Sequence, residues 1–496
     1  MSSLETNITN EPNQRNELIT QLSEVLSTEH LLTNQEDLKP YECDGLAAYQ
    51  RLPVAVVLPD TIEQVQKIVK ICSHFQIPVV ARGAGTGLSG GALPHEGGII
   101  LGLSRFNKIL EIDTENQMAR VQPGVRNLAI SEAAHPYGLY YAPDPSSQIA
   151  CSIGGNVAEN AGGVHCLKYG LTIHNVQQVK IVTIDGEIIT LGSQTLDTPG
   201  YDLLALITGS EGMLGIIVEI IVKLLPKPHK VKVLMASFNF MEDAGNAVAA
   251  IIAGGIIPAG LEMMDKPAIH AAEAFVHANY PLDVEAILLC ELDGNQLQLD
   301  EQVSKVEALL NQQKAVEIVI ADSAKDQARL WAGRKAAFPA VGRISTDYYC
   351  MDGTIPRKKI AYVLQKISEL SEKHGLRVAN VFHAGDGNLH PLILYDANHE
   401  GELEIAEKFG ADILELSVKV GGTITGEHGV GHEKIDQMCI QFTAHELTQF
   451  FAVKSAFDPD SLLNPGKAIP TLHRCAELGA MHVHNGELPF PDIPRF

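Results

Sequence analysis

Two segments in the last third of the chain carry side chains that could bind a metal ion and accept a proton. His383 and His390 flank a Gly-Asp-Gly-Asn turn, and Glu427 and His428 lie together in a second segment. Two imidazoles and one carboxylate that leave a coordination position open form the ligand set of a catalytic metal site. No H-E-x-x-H sequence occurs, so a zincin-type site is excluded. We therefore predict that His383, His390 and Glu427 bind a divalent metal, either zinc, manganese or iron.

His428 follows a predicted metal ligand but is itself free to accept a proton, so we predict that it is the general base. Moving a proton from an aliphatic hydroxyl with a pKa of about 16 to a histidine near 6.5 costs roughly 12–13 kcal/mol, and a divalent ion on the hydroxyl oxygen would remove most of that cost. His432 is a weaker alternative as a metal ligand.

The guanidinium of Arg334 could hold the carboxylate of an anionic substrate, with Arg343 as the competing candidate.

Three glycine-rich segments, at 82–91, 152–163 and 208–215, lie in the first half of the chain. Successive small residues leave backbone N–H groups exposed and let the chain approach a pyrophosphate closely. A rigid turn at 143–147 adds hydroxyl donors. Because the segments are dispersed over about 130 residues, we predict that the backbone wraps a long, phosphate-bearing ligand.

A Rossmann dinucleotide loop is the competing interpretation of the first glycine-rich segment, since G-x-G-x-x-G is loosely present there. The segment leads to a predicted strand and not to the helix whose N-terminus would hold the phosphates, which excludes that interpretation. A Walker A loop is excluded as well, because no Gly-Lys-Ser/Thr sequence follows.

These segments together resemble the FAD-binding fold of the vanillyl-alcohol-oxidase and para-cresol-methylhydroxylase type. The resemblance rests on RGAGTGLSGG, APDPSS, SIGGNVAENAGG, GSEGMLG and LNPGK, in that order. It implies that FAD is the cofactor, and the absence of histidine from 83–91 predicts noncovalent FAD. The residues that the resemblance places at the cofactor are Arg82, Gly83, Ala84, Gly85, Thr86, Gly87, Leu88, Ser89, Gly90, Pro143, Asp144, Ser147, Gly154, Gly155, Asn156, Glu159, Asn160, Gly163, Glu211, Gly212, Gly215 and Asn464.

In the second half, HAGDGNLH and GEHG resemble the signatures of the metal-dependent D-2-hydroxy-acid dehydrogenases of this flavin family. The resemblance implies metal ligation by the two histidines and the glutamate, with the next histidine as base. The resemblance covers essentially the whole chain, and within the family the sequence is similar to the members that oxidise glycolate. We therefore expect glycolate as substrate and D-lactate as a side substrate. Cys350-Met351-Asp352 and Leu392 replace more polar residues of relatives that take larger diacids, which favours a two- or three-carbon acid.

The resemblance also implies that electrons pass to partners, namely a second flavin-fold subunit and an iron–sulfur subunit. The tail segment 488–496 could help to dock them. Two other functions stay open: a D-lactate dehydrogenase that acts alone, and a noncatalytic flavin-binding subunit that only supports electron transfer.

Composition limits the classes of partner. The formal net charge is −23, from 60 acidic and 37 basic residues, so nucleic-acid binding is not expected. No C-x-x-C pair occurs among the eight cysteines, which argues against an iron–sulfur cluster in this chain. Residues 1–16 lack the order of a signal peptide, and the apolar stretch 215–225 is too short to span a bilayer. We expect a cytoplasmic protein that reaches the inner face of the cell membrane only peripherally, through partners.

The surrounding pattern predicts an α+β fold that positions these residues. Strands and glycine dominate the first half, where Asp185-Gly186 predicts a hairpin. Beyond a boundary near residue 227, strands and helices alternate, which indicates an antiparallel sheet backed by helices. The predicted parts are an N-terminal helical segment (1–50), an FAD-binding domain (51–227), a substrate domain with the metal site (228–461), and a C-terminal segment that returns to the FAD domain and ends in a tail (462–496).

Overall fold

The computed structural model describes residues 12–195 and 199–470. The first sheet along the chain has four strands in the order β1-β2-β4-β3. Strand β1 is antiparallel to β2, and β2, β4 and β3 are parallel to one another. Its covering helix α3 begins at a capping box formed by Thr61 and Gln64 and buries Val65 and Ile68. The elements of this part are α1 (Pro12–Val25), β1 (Leu31–Leu32), α2 (Gln35–Leu38), β2 (Ala55–Val57), α3 (Ile62–Phe75), β3 (Val79–Arg82) and β4 (Ile99–Gly102).

A five-stranded antiparallel sheet follows, in the order β5-β6-β10-β8-β9. Asp185 and Gly186 lie in the turn between β8 and β9, and Gly186 has φ +72°, so the predicted hairpin is confirmed. The elements are β5 (Ile109–Asp113), β6 (Met118–Val121), α4 (Asn127–Ala134), β7 (Leu139–Tyr140), α5 (Ile153–Glu159), α6 (Cys166–Tyr169), α7 (Thr172–Asn175), β8 (Val176–Val182), β9 (Ile188–Gly192), α8 (Leu203–Ile207), β10 (Ile216–Lys223) and β11 (Leu225–Pro226).

The second half is built on one seven-stranded antiparallel sheet, in the order β15-β12-β14-β13-β17-β18-β16. Its strands and helices are β12 (Lys230–Phe238), α9 (Met241–Ala253), β13 (Gly260–Asp265), α10 (Lys266–Val276), β14 (Ala286–Gly294), α11 (Gln296–Gln312), β15 (Glu317–Ile320), α12 (Ala324–Lys335), α13 (Ala337–Val341), β16 (Asp347–Cys350), α14 (Ile360–His374), β17 (Val378–His383), β18 (Pro391–Tyr395), α15 (Glu402–Lys419), α16 (Met438–Gln441) and α17 (Ala444–Phe457).

Helices cover both faces of this sheet. Along β12, Leu234 packs into the core formed with α9, α14 and α15, whereas its neighbours Val233 and Met235 pack into the core formed with α10, α12 and α13. This alternation follows from the two-residue period of a strand. A sheet buried on both faces holds the side chains at its strand ends in fixed positions, which matters because β13, β17 and β18 supply the site.

Residues 462–464 lie against the first sheet. Leu463 forms a parallel bridge with Val79, and the N–H of Asn464 donates to the Val79 carbonyl at 2.9 Å. Leu462 and Leu463 are buried in the core of that sheet. The chain therefore returns to the first half after it has formed the last helix of the second half. The helices and sheets of both halves together confirm the predicted α+β class.

Candidate active site

A cavity of about 380 Å³ lies where the glycine-rich segments meet the metal-ligand loops. Fifteen of the residues predicted at the cofactor line it: Arg82, Gly83, Ala84, Gly85, Thr86, Gly87, Leu88, Ser147, Gly154, Gly155, Asn156, Glu159, Glu211, Gly212 and Gly215. His390, Glu427 and His428 line the same cavity from the second half. The structure therefore brings the predicted cofactor segments and the predicted catalytic segments to one space.

Seven residues predicted at the cofactor do not line this cavity: Ser89, Gly90, Pro143, Asp144, Asn160, Gly163 and Asn464. Three of them brace the loops that do line it. The side-chain amide of Asn464 donates to the carbonyls of Gly91 and Glu211, at 2.9 and 2.7 Å, and the Ser89 carbonyl accepts the N–H of His432. Asp144 is bound to His165, 2.7 Å from its Nδ1. Sequence motifs did not separate lining residues from these braces, because both kinds sit in the same segments.

The first glycine-rich loop fits the close approach of a cofactor backbone. A Cβ placed on Gly83 would lie 2.0 Å from the Ser152 hydroxyl, so a side chain here would displace the hydroxyl that accepts the Gly155 N–H at the start of α5. Arg82 lines the cavity while its Nη1 donates to the Cys43 carbonyl at 2.6 Å. Exposed backbone N–H groups beside glycine suit the pyrophosphate of FAD.

A buried carboxylate, that of Glu211, connects the cofactor segments to the loop that carries the predicted base. Glu211 accepts the N–H groups of Val430 and Gly431, at 2.8 and 2.7 Å. Burial, followed by the neighbouring charge of Glu211, raises the pKa of Glu159 well above its usual range. Gly162 makes a further contact between the two halves. A Cβ at this position would lie 2.5 Å from Oε2 of Glu427, so the absence of a side chain lets Glu427 approach.

His383, His390 and Glu427, hereafter the metal triad, come together at the ends of neighbouring strands. His383 ends β17, and the chain reverses through the predicted turn so that His390 precedes β18. Oε1 of Glu427 lies 3.0 Å from Nε2 of His390 and 3.4 Å from Nε2 of His383. One ligand atom from each residue lies within 4.8 Å of the other two. Two imidazoles and a carboxylate at such spacing fit a divalent metal.

A second carboxylate orients the first of these histidines. Glu262 on β13 pairs directly with His383 on β17, and its Oε1 lies 2.7 Å from Nδ1 of His383. The other oxygen, Oε2, accepts from Nε of Arg334 at 2.7 Å. With Nδ1 engaged by Glu262, Nε2 of His383 is left to face Glu427. A carboxylate that binds the other ring nitrogen commonly holds a metal-binding histidine in this orientation.

Arg334 therefore lies next to the site but in a different position from the one predicted. It is buried against Glu262 and does not line the cavity, although its Nη2 has no hydrogen-bond partner in the described part of the chain. The neighbouring Lys335 and Phe338 line the cavity instead. Sequence reasoning missed Lys335, whose only signal was its position beside Arg334. The competing Arg343 lies over the ring of Phe275, with its guanidinium carbon 5.5 Å from the ring centroid.

Asp352 was not predicted as a site residue, yet it joins the two metal-ligand segments. Its fully buried carboxylate accepts the N–H groups of Gly426, Glu427 and His428, at 3.1, 3.1 and 2.9 Å. It also accepts from the side-chain amide of Asn388, in the turn between the two histidines, at 2.9 Å. Burial alone would raise the pKa of Asp352, but nearby positive groups, led by His428, lower it to about 2. The ionised carboxylate thus fixes the ligand and the base together.

His428 lies beside the metal triad with a nitrogen available. Its ring stacks on that of His390, with centroids 5.1 Å apart and an interplanar angle of 14°, and its Nε2 is 3.8 Å from Oε1 of Glu427. Burial lowers its pKa, and with the neighbouring charges the result is about 4. The imidazole is therefore neutral near pH 7, as a base must be. His432, the weaker alternative ligand, instead packs edge-on against Tyr49, with ring centroids 5.1 Å apart.

Two further features concern the surroundings of the site. Among residues 12–195 and 199–470, no helix has the length and apolar character needed to cross a membrane. The tail segment 488–496 lies outside the described residues, so its predicted docking role stays a prediction.

Family models match both halves of the chain. Residues 53–192 match an FAD binding domain, and residues 227–468 match the C-terminal domain of FAD linked oxidases. The first range contains the glycine-rich segments at 82–91 and 152–163, and the second contains the metal triad. The third glycine-rich segment, at 208–215, lies between the two matched ranges.

Curated relatives match nearly the full length. Glycolate oxidase subunit GlcD of Escherichia coli strain K12 is 63% identical over 94% of this chain and 93% of that protein. The GlcD subunit of Bacillus subtilis strain 168 is 39% identical over 90% of this chain and 95% of that protein. A D-lactate dehydrogenase of Anaerostipes hadrus is 34% identical over 91% of this chain and 97% of that protein.

Among solved structures, p-cresol methylhydroxylase with substrate bound superposes with a TM-score of 0.80, covering 93% of this chain and 98% of that one at 19% identity. A 4-ethylphenol oxidase of Gulosibacter chungangensis gives 0.77 at 18% identity, over 93% and 98% of the two chains. At such identities the likeness shows the fold, and it confirms the predicted FAD-binding fold of the vanillyl-alcohol-oxidase type. Since relatives above 30% identity span about nine-tenths of its length and both family models match, the chain belongs to the FAD-linked oxidases and is an FAD-linked oxidoreductase.

Proposed function

We propose that this chain oxidises glycolate to glyoxylate, with FAD as hydride acceptor and a divalent metal at His383, His390 and Glu427. One observation carries the proposal: His390 and Glu427 of the metal triad meet His428 at the wall of the cavity that the glycine-rich segments line, and His383 lies within 4.8 Å of the other two ligands. Two relatives that bear the name glycolate oxidase subunit, at 63% and 39% identity, support the choice of substrate. D-lactate is the expected side substrate.

The residues divide the reaction between them. His428 accepts the hydroxyl proton of the substrate. FAD, which the glycine-rich segments would hold, would supply the acceptor for the hydride at C2. A divalent ion, which the metal triad would hold, would supply a Lewis acid that lowers the pKa of the substrate hydroxyl. Asp352 holds the backbone of Glu427 and His428 in place, and Glu262 holds His383. The ammonium of Lys335 lies at this end of the cavity, where an anionic substrate could meet it, whereas Arg334 is buried against Glu262.

An anaerobic flavin spectrum tests the proposal. The purified, FAD-loaded chain is titrated with glycolate and with each lactate enantiomer, before and after a chelator. We expect glycolate to bleach the flavin, D-lactate to do so less effectively, L-lactate to leave it oxidised, and the chelator to abolish bleaching. A flavin that stays oxidised with every acid would overturn the proposal in favour of a noncatalytic electron-transfer subunit.

A D-lactate dehydrogenase that acts alone is the second candidate, because a relative with that name is 34% identical over 91% of this chain. The same titration separates the two functions. Bleaching by D-lactate at much lower concentration than by glycolate would select the second candidate.

We further infer that electrons leave through a second flavin-fold subunit and an iron–sulfur subunit. Relatives named as subunits of glycolate oxidase support this inference. It places the chain in the cytoplasm, with contact to the inner face of the membrane through those partners. We also propose the four-part division at 1–50, 51–227, 228–461 and 462–496, with the metal triad in the third part.

A further inference from the structure

Cys350 lies next to the two stacked imidazoles of the site. It ends β16, pairs with Leu392 on β18, and is 5% exposed. One ligand atom each from Cys350, His390 and His428 lies within 4.8 Å of the other two. The proposed oxidation of the substrate gives this thiol no role. A thiol and two imidazoles nevertheless form a metal-ligand set of their own, which we call the cysteine triad.

Each of the two imidazoles has a nitrogen that the metal triad does not use. Nε2 of His390 and Nε2 of His428 are the atoms that face Oε1 of Glu427. Nδ1 of His390 lies 3.4 Å from the carbonyl of Met351, which is the residue after Cys350. Nδ1 of His428 is buried and has no hydrogen-bond partner among the described residues. Because a carbonyl oxygen only accepts, Nδ1 of His390 carries the hydrogen, and Nε2 is the atom of that ring that a metal can bind. Nδ1 of His428, buried and without a partner among the described residues, gains by binding a cation.

The electrostatic surroundings of the thiol favour a dication. Three carboxylates, those of Asp352, Glu433 and Glu427, lie near the thiol, against one nearby ammonium, that of Lys434. This excess of negative charge attracts a divalent ion. On binding, the S–H bond breaks, a metal–sulfur bond forms, and the proton is released to the buffer.

We propose that Cys350, His390 and His428 form a second metal site, which takes a thiophilic divalent ion of the zinc or cadmium class and inhibits the enzyme when occupied. Thiolate and imidazole ligands select such ions over magnesium, calcium or manganese. His390 and His428 line the cavity, so an ion in the cavity meets them first. Inhibition rests on the proposed function, since an ion on His428 removes the base and one on His390 competes with the metal triad. Binding itself rests on the three side chains alone.

Cadmium is the probe, because its thiolate complex has an ultraviolet charge-transfer absorption. The FAD-loaded, metal-stripped chain is titrated with Cd²⁺ without substrate, and the difference spectrum is recorded. We expect a saturable thiolate band in the wild-type protein and its loss in Cys350→Ser, with cadmium affinity reduced by at least the roughly 10- to 100-fold that loss of an outer-shell partner costs. Cys166→Ser is the matched control, since Cys166 is another buried thiol near Glu427, and it should keep the band.

The variants also test the inhibitory role. Cadmium should slow glycolate-driven flavin reduction in the wild-type protein and do so far less in Cys350→Ser, each compared with its own rate without cadmium. Cys350→Ala replaces Cys350→Ser if the latter does not retain FAD. A band that persists without Cys350, that is absent from the wild-type protein, or that disappears only in Cys166→Ser overturns the site. A wild-type band with no flavin reduction by any acid would leave the site standing and refute the proposed function instead.

Discussion

Oε1 of Glu262 lies 2.7 Å from Nδ1 of His383, across two directly paired strands. The contact fixes which nitrogen of His383 is left for a metal. Glu262→Gln should weaken metal binding by about 10- to 100-fold. A glutamine has one oxygen, which cannot accept from both Nδ1 of His383 and Nε of Arg334, and the neutral amide therefore holds the imidazole ring less firmly. Metal release to a chromophoric chelator measures the affinity, and FAD content should not change.

The control variant is Glu291→Gln. Glu291 is a partly buried glutamate on the neighbouring strand, and it binds His165 and Trp331 instead of a metal-binding histidine. Equal losses of metal affinity in both variants would contradict the role assigned to Glu262.

Removal of the proposed base should slow the chemical step and leave binding in place. For His428→Asn we expect the rate of flavin reduction by glycolate to fall by about 10²- to 10⁴-fold, since that is the usual contribution of a general base. Stopped-flow spectra give the rate, and metal and FAD contents are measured on the same sample. His432→Asn serves as the comparison, because His432 packs against Tyr49 outside the metal triad. A larger rate loss in that variant would move the base to His432.

A partly buried imidazolium at the contact between the two halves predicts a pH-dependent stability. His165 lies 2.7 Å from Asp144 and 2.9 Å from Glu291. Burial lowers its pKa, but the two carboxylates outweigh burial and raise the pKa well above its usual range. The stabilisation is therefore complete below the unfolded pKa of about 6.5 and is lost as the pH rises through the folded value.

Thermal unfolding of His165→Gln and the wild-type protein across that range provides the measurement. The variant should unfold at a clearly lower temperature near pH 6, and the difference should shrink in alkaline solution. A difference that stays constant, or that grows with pH, would show that His165 is neutral in the folded protein.

Denaturation should release the flavin. No histidine lies between Gly83 and Gly91, so acid or heat should leave all flavin absorbance in the supernatant after the polypeptide is removed. Cys151 is the cysteine that lines the cavity, and Cys151→Ser is prepared in parallel. Flavin that stays with the wild-type polypeptide would refute noncovalent binding. If the flavin were then released from Cys151→Ser, Cys151 would be identified as the site of covalent attachment.

The sequence sufficed for the residues that lie in compact motifs. His383, His390, Glu427 and His428 could be predicted because a reversing turn and one short loop carry all four. Glu262 could not, because its contact with His383 depends on the pairing of β13 with β17, which no local pattern encodes. The α+β class and the hairpin at Asp185-Gly186 followed from strand periodicity and turn chemistry.

Long-range partners explain the other differences. Asp352 was visible only as part of a Cys-Met-Asp sequence, and its role arises from backbone N–H groups that the fold delivers to it. Asp144 was placed at the cofactor because its turn is there, but its carboxylate is taken by His165. Arg334 is directed to Glu262 by its place near the end of α12, which leaves the next residue, Lys335, at the cavity.

The hydrogen bonds from Val430 and Gly431 to Glu211 have a consequence for engineering. They are main-chain contacts, so they do not depend on the side chain at position 430. Position 431 must stay a glycine, because its φ is +55° and a Cβ there would lie 2.2 Å from the Ser89 carbonyl oxygen. A chimaera that exchanges the second half for that of a homologue should therefore keep the spacing between flavin and base, provided that position 211 remains a glutamate and position 431 a glycine. The length of the loop at 426–431, together with Glu427, His428 and Gly431, would then limit which homologues can be combined.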